Sequence, residues 1–508
     1  MAGAAVATAP SAVAATETIT ATNSTVTITA AGWGHGRGMS QYGAQQAAKQ
    51  GLSYDKILAF YYSGTKLEKL PAGNKLRVWI TADTDKKLHV YPATGLLIKD
   101  DKGHKFTLPT GKNYTKWRIS RSGDKRLLYY RDAKGKYKKY SNAKFTLDAK
   151  RLWSFENPKA GKVKVYLASG NRTYRGTVAL AFKGTGAITV NTVGMEWYLR
   201  SVVPSEMPAS WSSEALKSQA VAARTYAARY KANLKGAQPY DICNTTACQV
   251  YKGTMTEYKA STAAVNATTD RVLTYKGQYA WTEFSSSNGG YSVAGTNDYI
   301  TAKADPYDLA ANQVYATSVK VSTLQKKYPK IGTFKSLAVS RDGKGRFGGR
   351  VTSVTLTGAS GSQTVSGASF KSALGLRETL MEIAGGLAPD TANYKRWQAL
   401  GGSKGTALGV FNSTEQKVAD GLYAGFEKGV LWWSPDTGSI RLTKLIDQAY
   451  RAAGGPVTSK LGFPVKDAAS SVKSGLSFKS GTSAIFESGM ISCPSDAKDT
   501  KNCVVSLG

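Results

Sequence analysis

Three short stretches carry residue types from which a site can be built. Residues 31–45, AGWGHGRGMSQYGAQ, set four alternating glycines around one of only three histidines in 508 residues. Such glycines let backbone lie close to a bulky neighbour, with His35, Arg37, Gln41 and Tyr42 presenting polar groups beside it. No Lys-Ser or Lys-Thr follows, which excludes a phosphate loop, and no acid closes a dinucleotide fingerprint. His89 and His104 lie far off without ligand spacing, so neither a metal nor a cofactor is expected. The second stretch is VVPSEMPASW at 202–211, with Glu206 between Pro204 and Pro208. One rigidly placed carboxyl suits general acid–base chemistry; a solvated loop glutamate is the plainer alternative. Glu214, in the first turn of the next helix, offsets orphan N–H groups and reads as structural. The third stretch is WTEFSSSNGGYSVAG at 281–295, a backbone-rich loop suited to hydroxylated ligands. It contains no G-x-S-x-G elbow, which argues against a serine hydrolase.

The elements that position these stretches alternate between helical and extended patterns. NSTVTITA at 23–30 reads as a strand leading into the glycine ribbon; 41–50 and SYDKILAFYY read as short helices. Between 75 and 190, runs such as KLRVWITA, WRISRS and KVKVYLA recur between Gly, Asp, Asn and Pro, the mark of an antiparallel region. Within it, RDAKGKYKKYSNAKFTLDAKR interleaves cations with tyrosines, as either a polymer-binding stripe or a solvated face. TVGMEWYLRSVV predicts a helix, PSEMPASW a break, and SSEALKSQAVAARTYAARYKANLKG the longest helix. Its Leu216, Ala220, Ala223 and Ala227 form a stripe for close packing. After Gly386 a repeat appears: Trp397, GG at 401–402 and LG at 408–409 return as Tyr450, GG at 454–455 and LG at 461–462. Units this short should stack into one module.

These patterns give an α+β chain: a mixed helical and β catalytic-type domain with a β-rich insertion, plus a small C-terminal repeat domain. The expected boundaries are 1–22 (signal-peptide remnant or disordered), 23–383 for the main domain, 386–492 for the repeats and 493–508 for a disulfide-closed tail. The main domain divides into 66–190 (β-rich insertion), 191–312 (helical core with the catalytic loop) and 313–383 (β segment).

Composition narrows the setting. Sixty-eight Lys and Arg face thirty-four Asp and Glu, a formal net charge of +34, which attracts polyanions. Four cysteines in two close pairs, Cys243/Cys248 and Cys493/Cys503, read as two short-loop disulfides in an exported protein. The small, apolar N-terminus holds an Ala-x-Ala site near 12–14 but lacks a positive n-region. No apolar run is long enough to span a membrane. Without a finger, recognition helix or RNA-binding motif, nucleic acid is not the expected partner. A secreted, cell-wall location is expected.

The three stretches together resemble the stage II sporulation protein D/LytB amidase-enhancer family over residues of about 23–383. VVPSEMPASWSSEALKSQAVAARTYA at 202–227 is similar to its V-x-x-E-M-P and E-A-L-K-x-Q-A-V-A-A-R-T-Y-A signature. SSSNGG at 285–290 resembles its S-S-G-G loop, with Asn288 as a departure, and residues 32–44 match its glycine ribbon. In many members the ribbon follows the helices; its position here resembles secreted actinobacterial members. The resemblance implies a lytic transglycosylase cutting the MurNAc–GlcNAc bond of peptidoglycan glycan strands. Glu206 would serve as single general acid and base, leaving 1,6-anhydro-MurNAc ends, with its pKa raised by burial against Met207 and Trp33 or Tyr42. His35, Arg37, Gln41, Tyr42, Gln219, Arg224, Tyr226, Ser286, Ser287 and Asn288 would bind or support substrate. Some members bind a metal near the segment matching CNTTACQVYKG; Ala247 and the lack of a nearby His argue against one here. The other reading is a non-catalytic wall-glycan-binding protein or amidase enhancer, with a cell-wall amidase as partner. The C-terminal units resemble the L-G-F-P repeat of actinobacterial envelope proteins, intact at 461–464 and reading LGVF at 408–411. That resemblance implies anchoring to anionic wall polymers, with Trp432 and Trp433 either stacking on sugars or buried in the core.

Overall fold

The computed structural model describes residues 17–20, 25–142, 147–311, 313–385, 391–402, 406–409, 415–470, 480–497 and 499–508. The first sixteen residues of the expected leader lie outside them. The chain forms two units, Trp33–Asn312 and a second joining Met1–Gly32 to Gln313–Gly508.

Among the described residues the first unit has six α-helices, four of which pack on a fifth. They are α1 (Gln41–Lys49), α2 (Tyr54–Tyr61), α3 (Met195–Glu206), α4 (Ser213–Ala232), α5 (Lys259–Ala267) and α6 (Pro306–Ala311). α4 is the axis: α1, α2, α3 and α5 all pack on it. Its Leu216, Ala220, Ala223 and Ala227 are buried, and their short side chains let four neighbours approach. The break expected at Pro204 does not occur there, because α3 runs through it to Glu206. Pro204 lies in the last turn, where its missing N–H removes only one late helix bond.

The β-rich part of this unit contains a seven-stranded and a six-stranded sheet. The six-stranded sheet runs Tyr137–Lys139, Lys125–Arg131, Lys116–Ser122, Lys87–Val90, Lys162–Tyr166, Arg172–Arg175. Alternation sorts its faces. Val90, Trp117, Ile119, Val163 and Val165 enter the core that the sheets share with the helices. The residues between them face the other way.

In the second unit, Thr25–Ala31 lies between Val314–Lys320 and Met381–Gly385. Glu17–Thr20, grouped above with the leader, is the edge strand of a four-stranded sheet and pairs with Phe334–Arg341. The C-terminal part repeats a four-stranded antiparallel sheet behind a helix, at Ala392–Ala399 and at Lys444–Ala452. The correspondence is chemical. The Trp397 indole N–H donates to the Gly409 carbonyl at 3.0 Å, and the Tyr450 hydroxyl donates to that of Gly462 at 2.6 Å. Both glycines adopt positive φ, 71° and 70°, which a side chain would strain. Trp432 is 1% exposed, and its indole N–H donates to Asp447 at 2.7 Å. The sugar-stacking expectation for Trp432 is therefore corrected: the ring is core, edge-on to Tyr450. Trp433 is half-buried on the neighbouring position. Cys493 and Cys503 form a disulfide between the last two strands.

Candidate functional site

Three parts of the chain, distant in sequence, meet at an open cleft of about 850 Å³ in the Trp33–Asn312 unit. The glycine ribbon is one wall. Trp33 exchanges backbone hydrogen bonds with Ser287, and Met39–Ser40 pairs in parallel with Phe284–Ser285. This close approach explains the glycines. A Cβ at Gly34 would lie 2.7 Å from that of Ser285, and one at Gly38 would lie 1.9 Å from the Glu283 carbonyl oxygen. Both have positive φ.

Trp33, His35, Arg37, Gln41, Tyr226 and Ser286 line the cleft together with Glu206. The Arg37 guanidinium donates twice to Glu283 Oε1, at 2.7 and 3.0 Å. The Arg37 amide donates to His35 Nδ1 at 3.0 Å, so the neutral ring carries its hydrogen on Nε2. Trp33 is 54% exposed on the rim. Ser285, missed in the sequence reading, also lines the cleft; it is 8% exposed, and its Oγ has no hydrogen-bond partner.

The opposite wall is the Cys243–Cys248 loop, closed by a disulfide. Beyond it the Val250 amide donates to Glu206 Oε1 at 2.9 Å. Burial raises the Glu206 pKa, against the Val250 bond and the Lys252 charge, which both lower it. Glu206 thus ties the end of α3 to the disulfide loop. Glu214 works in the same manner elsewhere: it accepts from the Tyr54 amide at the start of α2 and pairs with Lys217.

Other expected site residues stand behind the cleft. Ser287 donates to Asp308 at 2.8 Å and Asn288 to Asp305 at 2.7 Å, both fully buried. Asp305 and Asp308 had no role in the sequence reading. The signal was present in ADPYD: Asp305 precedes Pro306 at the first position of α6 and accepts from the Asp308 amide. Gln219 is buried and accepts from Gln41 Nε2 at 3.2 Å. Tyr42 packs edge-on against Trp211. Arg224 is fully buried in a two-point pair with Glu196, at 2.8 and 2.6 Å. None of Ser287, Asn288, Gln219 and Arg224 lines the cleft, so of the roles expected of them, binding or supporting substrate, their hydrogen bonds fit support from behind the wall; Gln219 Nε2 alone is buried without a hydrogen-bond partner. Among the described residues, no group of three or more His, Cys, Asp or Glu is placed to hold a metal ion.

Comparison with known proteins identifies the scaffold. A family model described as stage II sporulation protein matches residues 183–275, and one described as LGFP repeat matches 408–457. The chain carries a SpoIID/LytB-family domain followed by an LGFP repeat module. The SpoIID/LytB-family domain is 41% identical over 116 residues to an amidase enhancer of Bacillus subtilis, covering 22% of this chain and 15% of that protein. With stage II sporulation protein D of the same organism it is 31% identical over 233 residues, 40% of this chain and 64% of the relative. An uncharacterized protein of Brachyspira hyodysenteriae is 39% identical over 120 residues, 24% of this chain and 32% of its own. The chain spans less than two thirds of the length of each.

These relatives overturn the expected lytic transglycosylase. The one whose name states a role is an enhancer of an amidase, named for its effect on another enzyme rather than for cutting a strand. The geometry supplies a plain occupation for the carboxyl that was to do the chemistry. Glu206 accepts the Val250 amide, which gives the carboxyl a structural partner, while burial raises its pKa overall.

Proposed function

We propose that this chain is a non-catalytic binder of wall glycan that serves a cell-wall amidase as an enhancer, outside the cytoplasm. The observation that carries the reading is Trp33, an indole more than half exposed at the rim of a cleft whose lining mixes polar groups such as Gln41, Glu206 and Ser286 with the rings of Tyr226 and Phe284. A flat apolar ring beside convergent polar groups suits a sugar, whose ring faces are apolar and whose edges are hydroxylated. The amidase-enhancer relative supports the partner. The LGFP module supports retention at the wall.

The test is binding of purified, peptide-free glycan strands, together with the rate of a cell-wall amidase on intact wall. Trp33→Ala should weaken strand binding about tenfold, the loss of one well-used aromatic anchor, and reduce the enhancement in step. Glu206→Gln should keep both, since an amide oxygen still accepts from Val250. Unchanged binding by Trp33→Ala, or loss of enhancement by Glu206→Gln alone, would overturn the reading.

A further inference from the structure

We propose that the outer face of the six-stranded sheet is a second binding site, for an extended phosphodiester-linked polyol chain. The inference does not depend on the cleft. Strand register places Lys139, Tyr129, Arg118, His89 and Tyr166 in one row across the sheet. The next row on the same face is Tyr137, Arg131 and Lys116. Tyr91 and Lys164 continue it through a bond from the Tyr91 amide to the Lys164 carbonyl.

What holds these cations is aromatic rather than acidic. Lys116 Nζ lies 3.4 Å from the Tyr166 ring centroid, and the Arg118 guanidinium lies 4.4 and 4.1 Å from those of Tyr129 and Tyr137. Lys164 sits 4.9 Å from Tyr91. A tyrosine ring orients a cation through its quadrupole but carries no net charge, so the positive field stays undiminished. Long side chains fixed in this way also lose less entropy when they meet an anion. His89, between Tyr137 and Tyr166, is held neutral: burial and the nearby Arg118, Lys116 and Lys87 charges outweigh Asp85 and bring its pKa to about 4.

Beside the first row, Lys87 pairs across the sheet with Ser120, and both line a pocket of about 490 Å³ with Lys86, Arg121 and one carboxylate, Asp85. Ser120 Oγ is buried there without a hydrogen-bond partner. Lys86, Lys87 and Arg121 outnumber Asp85 there, and with the unused Ser120 hydroxyl they suit one phosphodiester group.

The rings also choose among polyanions. Single-stranded nucleic acid binds by stacking bases on open aromatic faces. Here cations lie over the ring faces of Tyr91, Tyr129, Tyr137 and Tyr166. A polyanion without bases fits; one that needs stacking does not.

The experiment titrates the full chain with poly(glycerol phosphate), polygalacturonate and oligothymidylate of matched charge. Wild type should bind the phosphodiester polyol most tightly. The Lys87→Gln/Lys139→Gln/Lys164→Gln triple variant, all exposed positions, should bind it about tenfold more weakly with a shallower salt dependence. Ser120→Ala should weaken binding while leaving the salt dependence intact, because no charge is lost. A control triple of equal charge, Lys326→Gln/Lys327→Gln/Lys330→Gln, should bind as wild type. Equal weakening by the control triple overturns the site in favour of net charge. Oligothymidylate or polygalacturonate binding as tightly as poly(glycerol phosphate) overturns the choice of ligand.

Discussion

The cleft and the outer sheet face use charge in opposite ways. At and behind the cleft the cations that brace the walls are paired with carboxylates. Arg37 holds Glu283, Arg224 holds Glu196, and Lys217 holds Glu214. These charges cancel locally and act as crossbraces, which leaves the cleft wall to polar and aromatic contacts. On the sheet, Lys116, Arg118 and Lys164 rest on rings instead. A net charge of +34 is therefore unevenly useful. Its reach into solvent depends on whether the group that positions each cation also neutralises it.

The contrast breaks most visibly at Glu196. Its replacement by alanine strands a fully buried guanidinium, and denaturant unfolding should show a loss of about 3–5 kcal/mol. A loss below about 1 kcal/mol would mean that the helix-bundle pairs are not crossbraces. On the sheet the corresponding removal is Tyr166→Leu, which takes away a ring from under Lys116. The expected cost is about 0.5–1 kcal/mol, because the lysine escapes into water rather than being trapped. A cost matching that of Glu196→Ala would erase the distinction.

The smallest effect sharpens the picture of Glu206. Its pKa in the fold is raised above the ordinary 4.5. The folded chain therefore holds this proton to higher pH than the unfolded chain, and stability falls as pH rises through that interval. Glu206→Gln removes the penalty. The variant should melt slightly above wild type at pH 7 and together with it at pH 3. A variant that melts lower at pH 7 would show that the carboxylate charge itself stabilises the disulfide loop.

Sequence and structure agree where one local rule decides. The α4 helix is legible because small residues recur at helical spacing, and the two LGFP units because Trp397 and Tyr450 occupy the same place before Gly409 and Gly462. Agreement fails where a partner far along the chain decides. Ser287 and Asn288 look like ligand-facing loop residues until Asp305 and Asp308 take their hydrogen bonds. Arg224 is expected to bind or support substrate, and only the fold shows Glu196, on another helix, closing on it. Pro204 misleads for a different reason: α3 ends two residues after it, so the helix bond it forgoes is one of the last. The ring-held cations were half visible, since composition showed basic and aromatic residues interleaved, but only register shows which share a face.

One feature sets a timetable. Arg37 and Glu283 are 246 residues apart. At the usual pace of synthesis, about 5–20 residues per second, the glycine ribbon waits roughly 12–50 s for the strand it must lie against. During that interval the intervening helices and sheets have time to form, while the ribbon stays an open tether. The ribbon wall of the cleft consequently closes late, and a chain stopped after Tyr275 would possess α4, Glu206 and the disulfide loop but not the strand that seats the ribbon.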